Sequence, residues 1–243
     1  MTHQPHARAH AAHPTDKWSD RDFISVWDAR PTSALRREQM DIMAAVIKDN
    51  YRAGSRILSL GCGTGKLEEL IFSRVPSARF TSVDRSAVML ELAAEKLARH
   101  RANVTFVQSD LARLARARLP GAPFRFITSV NVLHELPDPV KRRLFRFCRS
   151  NLTAGGLLLI LDRLAIDRKR LHAAYASTLD RLQRITGEKS GELSRDFVDP
   201  RATDHEQPIS LEQYLRWLRA ARFEPAVLHL HFHKALIAAR PVE

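Results

Sequence analysis

Three closely spaced glycines, followed at a distance by an aspartate, are the residues of this chain best suited to binding chemistry. Residues 58–67 have the sequence Leu-Ser-Leu-Gly-Cys-Gly-Thr-Gly-Lys-Leu, an apolar run that enters a glycine turn and then a helix. Glycine is needed where the backbone turns sharply and approaches a ligand without a Cβ in the way. Asp84 ends the next apolar run, where a carboxylate can accept hydrogen bonds from both hydroxyls of a ribose. The two features together predict a nucleoside site.

The spacing of the glycines narrows the choice of nucleoside. The dinucleotide pattern G-x-G-x-x-G would require glycine at position 66, which is Lys66 here, so NAD is disfavoured. The phosphate-binding pattern G-x-x-x-x-G-K-[ST] is absent from the sequence. The remaining alternative is a tight strand-to-helix turn that binds nothing. We disfavour it because Asp84 is so well placed.

The elements that must position these residues follow from a regular alternation along the chain. Apolar runs begin near residues 57, 80, 104, 126 and 157, and each gap has room for a crossover helix. Continuous apolar runs are typical of strands covered on both faces, as in a parallel sheet. Two helices are predicted to precede the first strand, and Ser210 is predicted to cap a later helix whose apolar face carries Leu211, Tyr214, Leu215 and Leu218. The fold class is therefore α/β, a doubly wound sheet.

Composition limits the class of protein. The chain has 243 residues, of which 44% are hydrophobic and 27% charged, as in ordinary globular proteins. No apolar run approaches the roughly 20 residues that span a bilayer, and residues 1–16 form a His-rich stretch that we expect to be a disordered tail. A cytoplasmic protein without a membrane partner is expected. The two cysteines, Cys62 and Cys148, lack the spacing of a zinc or redox pair.

The net charge of +12 raises the question of a nucleic-acid partner. Nearly all of the excess lies in residues 101–186, which hold 16 basic and 6 acidic residues. Arginine outnumbers lysine by 31 to 8 over the whole chain, a bias more typical of codon composition than of a phosphate-binding surface. Nucleic-acid binding therefore stays an alternative that we do not favour.

Four short motifs in the order expected of one family strengthen the nucleoside interpretation. They are the Gly-Cys-Gly-Thr-Gly turn with Asp84, Ser109-Asp110 after the third strand, Asn-Val-Leu-His-Glu-Leu-Pro at residues 131–137, and Leu-Thr-Ala-Gly-Gly at residues 152–156. Over about residues 35 to 240 the chain resembles class I S-adenosylmethionine-dependent methyltransferases, although Ala154 replaces the proline that the family usually has in the last motif. The resemblance implies a Rossmann-like sheet of seven strands with the last one antiparallel. It also implies N-terminal lid helices and a C-terminal hairpin.

The resemblance also assigns site residues. The turn of Gly61, Cys62, Gly63 and Gly65 would pass close to the methionine part of S-adenosylmethionine, and Asp84 would bind the ribose. Arg85 or Ser86 would flank the adenine, whose amino group would meet Ser109, Asp110 and Leu111. Asn131 and His134 would lie beside the sulfonium. The expected product of the cofactor is S-adenosylhomocysteine.

Candidate catalytic residues follow the fourth and fifth strands, at the sheet edge where open α/β sheets bind ligands. His134 is predicted to act as a base or to orient the substrate, with packing against the cofactor as the alternative. Asp162 either touches substrate or caps the next helix. Trp27, Arg30 and His205 are candidate substrate contacts. His205 and Glu206, in the loop before the last helix, can either reach a substrate or be solvated, and solvation is favoured. His229, His231 and His233 alternate, but the family's hairpin should separate them, so no metal site is predicted.

We expect a single domain over residues 17–243. It divides into lid helices (17–54), a cofactor-binding core (55–163), a helical insertion with a substrate loop (164–223) and the hairpin (224–243). The sequence Asn-Val-Leu-His stands where methyltransferases of nucleobase or glutamine amino groups have Asn-Pro-Pro-Tyr. The leading hypothesis is therefore methylation of a small molecule by a monomer or homodimer. The alternatives are an RNA-modifying enzyme that uses residues 101–186 and a non-catalytic cofactor-binding subunit.

Overall fold

A computed structural model describes residues 17–30, 32–116, 118–165, 172–187, 206–231 and 233–242. The predicted tail at residues 1–16 and the candidate His205 lie outside these ranges. The chain forms a seven-stranded sheet in the order β3-β2-β1-β4-β5-β7-β6. The strands are β1 (Arg56–Leu60), β2 (Arg79–Asp84), β3 (Val104–Gln108), β4 (Phe124–Val130), β5 (Leu152–Arg163), β6 (Phe223–His231) and β7 (Lys234–Pro241).

The pairing of the strands confirms the predicted fold class. Strands β1 to β5 are parallel to one another, whereas β7 runs antiparallel to both of its neighbours, β5 and β6. Continuous apolar runs serve the central strands because helices cover both faces of the sheet. The helices are α1 (Arg21–Asp28), α2 (Ala34–Asn50), α3 (Lys66–Arg74), α4 (Ala87–Lys96), α5 (Asp138–Asn151), α6 (His172–Thr186) and α7 (Leu211–Ala220).

Two apolar layers hold the helices to the sheet. One contains Met43 and Ile47 of α2 together with residues of α3 and the sheet. The other joins α5 and α7 to the opposite face, where Leu144 and Leu218 are almost completely buried. Full burial of such side chains stabilises the fold by about 1.5–3 kcal/mol each. Both layers leave the carboxyl ends of β1, β2, β4 and β5 at one edge of the sheet, which is where the candidate residues lie.

Helix ends follow the expected capping chemistry at several positions. The Ser210 hydroxyl accepts a hydrogen bond from the Gln213 N–H at 3.1 Å, so the predicted cap of α7 is present. Ser86 caps α4 in the same way through the Met89 N–H at 3.2 Å. No helix among the described ranges is long and apolar enough to cross a membrane.

Candidate active site

The glycine turn between β1 and α3 has backbone angles that side chains rarely adopt. Gly61 has φ +69° and Gly63 has φ +53°. A Cβ on Gly61 would lie 2.4 Å from Cγ2 of Val132, so the turn packs directly against the segment after β4. A Cβ on Gly63 would meet no described atom within 4 Å. Gly61 therefore serves close packing, whereas Gly63 borders open space that a ligand can approach.

Asp84 at the end of β2 holds this turn in place. One carboxylate oxygen accepts a hydrogen bond from the Gly63 N–H at 2.9 Å, and the other accepts from the Ser86 N–H at 3.0 Å. Burial raises the pKa of the Asp84 carboxyl, while these N–H donors act in the opposite direction. Each carboxylate oxygen keeps a further acceptor position, so hydroxyl donors can still be bound.

The residues predicted to surround an adenine lie at the ends of β2 and β3. The Ser109 N–H donates to the Asp84 carbonyl at 2.9 Å, which brings the two strand ends together. Asp110 is exposed, and its Oδ1 accepts from the Ala112 N–H at 2.8 Å. Leu111 is buried, and Arg85 is exposed. The structure thus places these residues beside Asp84, as a nucleoside site needs.

Asn131 directly follows β4 and has an unusual conformation. Its φ is +54°, which is rare for a residue with a side chain, and its N–H donates to the Leu161 carbonyl at 2.8 Å. The side-chain oxygen is buried and has no hydrogen-bond partner among the described residues. A buried unsatisfied oxygen costs about 1–3 kcal/mol. Asparagine adopts the left-handed region more readily than most residues, so the informative feature is the buried oxygen, which a hydrogen-bond donor of a ligand can satisfy.

These features fit S-adenosylmethionine. The cofactor carries a cationic sulfur and an amino group that unsatisfied oxygens such as Asn131 Oδ1 can serve. Its ribose hydroxyls suit the remaining acceptor positions of Asp84. The open side of Gly63 leaves room for close backbone approach.

His134, Asp162 and Tyr214 form a buried polar chain at the same edge. His134 Nδ1 lies 2.5 Å from Asp162 Oδ1, and the Tyr214 hydroxyl donates to Asp162 Oδ2 at 2.5 Å. The three residues are 3%, 1% and 0% exposed. An ionised carboxylate only accepts hydrogen bonds, so a neutral His134 ring paired with it has its proton on Nδ1 and Nε2 as its acceptor. Asp162 thus contacts His134 and Tyr214 instead of capping a helix.

The segment before α7 covers His134. The Gln207 N–H donates to the His134 carbonyl at 2.5 Å, and the buried Lys141 ammonium donates to the Gln207 carbonyl. Glu206 Oε1 lies 3.9 Å from His134 Nε2 and forms an ion pair with Arg163 at 2.6 Å. The expectation that Glu206 is solvated is wrong, because this ion pair keeps its side chain only 22% exposed.

Helix α1 lies against the glycine turn through Asp28. The Asp28 carboxylate accepts from the Thr64 hydroxyl and pairs with the Lys96 ammonium at 2.9 Å and the Lys66 ammonium at 3.2 Å. Burial alone would raise the pKa of Asp28, but the donors and charges of Thr64, Lys96 and Lys66 lower it below its ordinary value. The predicted lid helix is therefore attached to the cofactor turn by a charged cluster.

The two candidate substrate residues in and after α1, Trp27 and Arg30, differ in their exposure. Trp27 is half-buried, and the Lys66 ammonium lies 5.4 Å from its ring centroid, so this side chain is next to the glycine turn. Arg30 is exposed just beyond the helix. The structure thus brings Trp27 into contact with Lys66 at the start of α3, next to the glycine turn.

The histidines of the hairpin form their own contacts. The His229 and His231 rings are nearly parallel with centroids 6.3 Å apart, and His229 Nδ1 lies 3.1 Å from the buried amide nitrogen of Gln39. No group of three or more metal-ligating side chains occurs in the described part of the chain. These histidines therefore line the end of β6 without converging on one point.

Cys62 in the glycine turn is a thiol and not a nucleophile. Burial raises its pKa well above the ordinary value, and the negative charges of Glu68 and Asp84 raise it further. Its Sγ lies 3.6 Å from the Gly63 carbonyl. Cys62 therefore contributes to the glycine turn through the size of its side chain and the conformation of its backbone.

Sequence reasoning missed two residues of this site, Asp28 and Tyr214. Tyr214 was assigned to the apolar face of α7, and the signal that could have found it is the polar hydroxyl of a side chain on a buried face. Asp28 ends an amphipathic helix, where the helix dipole disfavours an acidic residue, so its position indicates a partner elsewhere in the fold.

Comparisons with known proteins agree with this geometry. The family model described as "Methyltransferase domain" matches residues 57–156. A trans-aconitate 2-methyltransferase of Azoarcus sp. (strain BH72) is 34% identical over 143 residues, which are 59% of this chain and 49% of that protein. The chain thus spans about half the length of this curated relative.

Two further similarities cover more of the chain. A ubiquinone biosynthesis O-methyltransferase of Xanthomonas campestris pv. campestris (strain B100) is 27% identical over 204 residues, 82% of this chain and 75% of that protein. The solved structure titled "DhpI-SAM-HEP complex" superposes with a TM-score of 0.58 at 20% identity, covering 91% of this chain and 94% of that one. This last likeness supports the fold alone. Residues 57–156 of the chain therefore match a methyltransferase domain, and the chain as a whole is similar in sequence and fold to methyltransferases.

Proposed function

We propose that this protein is a methyltransferase that transfers a methyl group from S-adenosylmethionine to an oxygen of a small-molecule acceptor. The observation that carries the proposal is the buried His134–Asp162 pair beside Asn131, at the sheet edge that also holds the glycine turn. The name of one relative, the ubiquinone biosynthesis O-methyltransferase, supports an oxygen acceptor.

The glycine turn and the side chains after β2, β3 and β4 would hold the cofactor. Gly61, Cys62, Gly63 and Gly65 would follow its methionine part, Asp84 would bind the ribose, and Asp110 with Leu111 would meet the adenine. Ser109 and Arg85 would flank the base, and Asn131 would face the sulfonium region. When bound, S-adenosylmethionine supplies an electrophilic methyl group on a cationic sulfur.

His134 is proposed to remove the proton of the acceptor hydroxyl. Its Nε2 is the free acceptor of the ring, and Asp162 stabilises the imidazolium that forms when Nε2 takes the proton. An alcohol or a weakly acidic phenol needs such a base, whereas a carboxylate can react without one. The pair therefore favours a hydroxyl-bearing acceptor over an acid.

Access to His134 is restricted from the side of α7. Glu206 and Gln207 cover the ring, and water exclusion favours transfer to the acceptor over side reactions. Trp27, Arg30 and His205 are proposed to contact the acceptor from the lid and the loop. A cytoplasmic location and a monomeric or homodimeric state remain predictions.

The test is transfer of labelled methyl into a cell extract that is then separated into small-molecule, RNA and protein fractions. We expect label in the small-molecule fraction, and loss of it with His134→Gln. The control is His100→Gln, whose ring stacks on Phe72 with centroids 4.0 Å apart, away from the site. Label in RNA alone would contradict a small-molecule acceptor. Tight cofactor binding without label in any fraction would contradict catalysis.

A further inference from the structure

His134, Asp162 and Tyr214 form the buried polar chain described above. Of these three residues, Tyr214 has as yet no role in binding or proton transfer. It lies in the second turn of α7, is completely buried, and its ring packs beside Phe145 of α5 with centroids 6.2 Å apart. Its hydroxyl donates to Asp162 Oδ2, the oxygen that does not face His134. Packing alone would be served by phenylalanine, so the hydroxyl needs a separate explanation.

We propose that Tyr214 is a positioning residue, which holds the Asp162 carboxylate so that His134 keeps its proton on Nδ1 and presents Nε2 to the acceptor. The inference rests on the proposed function for its catalytic consequence. The geometry on which it stands is a pair of contacts of 2.5 Å to the two oxygens of one carboxylate.

The physical reason lies in the burial of Asp162. A carboxylate that is 1% exposed requires hydrogen bonds to both oxygens to stay ionised and fixed in orientation. His134 supplies one and Tyr214 the other. Without the hydroxyl, Oδ2 would lose its donor and the carboxylate could turn about its Cβ–Cγ bond away from Nδ1. Both tautomers of His134 would then be populated.

Tyr214 is suited to positioning the Asp162 carboxylate because its hydroxyl remains a hydrogen-bond donor. Burial raises its pKa well above the ordinary value, and the charge of Asp162 raises it further. The phenol therefore keeps its proton over the whole range in which a methyltransferase would be assayed. It cannot compete with His134 as a base.

Other charged groups lie close to the three hydrogen-bonded side chains and must be considered in predicting how the pH dependence of methyl transfer changes. Glu206 lies 3.9 Å from Nε2 and is paired with Arg163, and the buried Lys141 ammonium lies near Asp162 and is paired with Asp138 at 3.1 Å. These groups remain when the Tyr214 hydroxyl is removed. The neutral ring can then exchange tautomers, but an imidazolium always has a proton on Nδ1, so the carboxylate returns to it. Because Asp162 no longer shares its charge with the Tyr214 hydroxyl, it favours the imidazolium, and the acidic limb of the pH profile moves to higher pH.

The experiment compares Tyr214→Phe with Tyr51→Phe. The Tyr51 hydroxyl also donates to backbone carbonyls, at 3.0 Å to Ser77 and 3.2 Å to Ser55, but at the opposite edge of the sheet. The first measurement is the tautomer of His134 by ¹⁵N NMR on the full chain, with the signal assigned by its loss in His134→Gln. The second is the pH dependence of methyl transfer to the acceptor found in the labelling test.

We expect wild type and Tyr51→Phe to hold the proton on Nδ1, and Tyr214→Phe to populate both tautomers. Activity should fall about 10- to 100-fold in kcat, a part of what a general base contributes, with the cofactor Kd unchanged. The midpoint of the acidic limb should move to higher pH. An unchanged tautomer and an unchanged midpoint in folded Tyr214→Phe would overturn the proposal.

A second replacement covers the case in which Tyr214→Phe does not fold. Replacement of Tyr214 by 3-fluorotyrosine preserves the packing and makes the hydroxyl a stronger donor, so the acidic midpoint should move to lower pH. A midpoint that stays in place would overturn the proposal. The tautomer result is independent of turnover. If Tyr214→Phe changes the tautomer but no form of the protein transfers methyl, the proposed function fails while the positioning role stands.

Discussion

Two aspartates at the carboxyl edge of the sheet differ in what their carboxylates are free to do. Asp84 accepts from backbone N–H groups at 2.9 and 3.0 Å and stays partly exposed. Asp162 accepts from two buried side chains and is 1% exposed. Backbone donors fix Asp84 while its outward lone pairs remain available to a ligand. Asp162 is enclosed, so it can act only through His134.

This difference leads to a prediction for Asp84. Asp84→Ala should weaken S-adenosylmethionine binding by about 1.5–3 kcal/mol, because hydrogen bonds to a charged group are lost. Isothermal titration calorimetry measures the change. Asp49→Ala, on the exposed end of α2, is the matched control and should bind as wild type does. Equal affinity of Asp84→Ala and wild type would refute the ribose assignment.

Glu68, in the first turn of α3, should make the stability of the fold depend on pH. It is completely buried, and its Oε1 accepts from the Ser82 hydroxyl at 2.9 Å. Burial raises the pKa of this carboxyl, although the hydroxyls of Ser59 and Ser82 oppose the shift. A carboxyl whose pKa is raised by folding contributes its full stabilisation at pH values below its pKa in the unfolded chain. This contribution is lost as the pH rises through its pKa in the folded protein.

Glu68→Gln should therefore gain unfolding free energy relative to wild type as pH rises from about 4 to 7, because glutamine cannot ionise. Chemical denaturation at a series of pH values measures the difference. Glu69→Gln, on the exposed side of the same turn, should show no such trend. A difference between Glu68→Gln and wild type that does not vary with pH would mean that folding does not raise the pKa of the Glu68 carboxyl.

At the scale of elements, α1 is held to the glycine turn by two kinds of contact. Asp28 forms a partly buried cluster with Thr64, Lys66 and Lys96. Arg21 forms ion pairs with Glu91 and Glu95 of α4 whose side chains are about half exposed. Exposed pairs contribute little because water and salt screen them. Among the charged contacts of α1, the Asp28 cluster therefore contributes most, beside the burial of Ile24.

Asp28→Ala should release α1, with a loss of about 2 kcal/mol in its local stability, on the scale of hydrogen bonds to a charged group. Hydrogen exchange of residues 21–28, followed by mass spectrometry, measures the effect. Arg21→Ala is the control and should change exchange much less. If both variants exchange alike, the Asp28 cluster does not hold the helix.

The sequence predicted well those parts of the site that depend on local signals. The glycines at 61, 63 and 65 and Asp84 are linked by one strand–turn–helix unit, so their spacing determines their contacts. His134 and Asp162 were both placed at one sheet edge, because topology alone brings the ends of β4 and β5 together. Their direct pairing was not predicted.

Other contacts of the candidate site could not be predicted from the spacing of residues along the sequence. Tyr214 meets Asp162 only because α7 packs against α5, and Asp28 meets Lys96 across 68 residues of chain. Such contacts depend on how helices pack on the sheet, which a periodic pattern leaves open. The start of the fifth strand was also misplaced. Strand β5 begins at Leu152 and passes through the glycine pair at 155 and 156, because Leu152 already pairs with Phe124 of β4.

At the scale of the whole molecule, the positive charge of residues 101–186 is partly used inside the protein. Lys141 is buried, Arg163 pairs with Glu206, and Arg149 donates to the Val242 carbonyl at 2.6 Å. Arg142 lies 5.8 Å from the ring centroid of Trp217. These cations support α5, α7 and the end of β7. Each of these four cations already contacts a group of the protein itself, so it is less available to a nucleic-acid backbone.

This use of charge argues against an RNA substrate. We expect the apparent affinity for a single-stranded RNA to change with a slope shallower than about −2 in a plot of log K against log salt, equivalent to about three phosphate contacts or fewer. Filter binding between 50 and 200 mM salt measures the slope, with Arg149→Ala compared with wild type. The variant should lose stability, because its contacts to the carbonyls of Arg222 and Val242 disappear, but its slope should not change. A slope of −5 or steeper that Arg149→Ala reduces would instead make the outer face of α5 a nucleic-acid surface, and the acceptor would have to be sought in RNA.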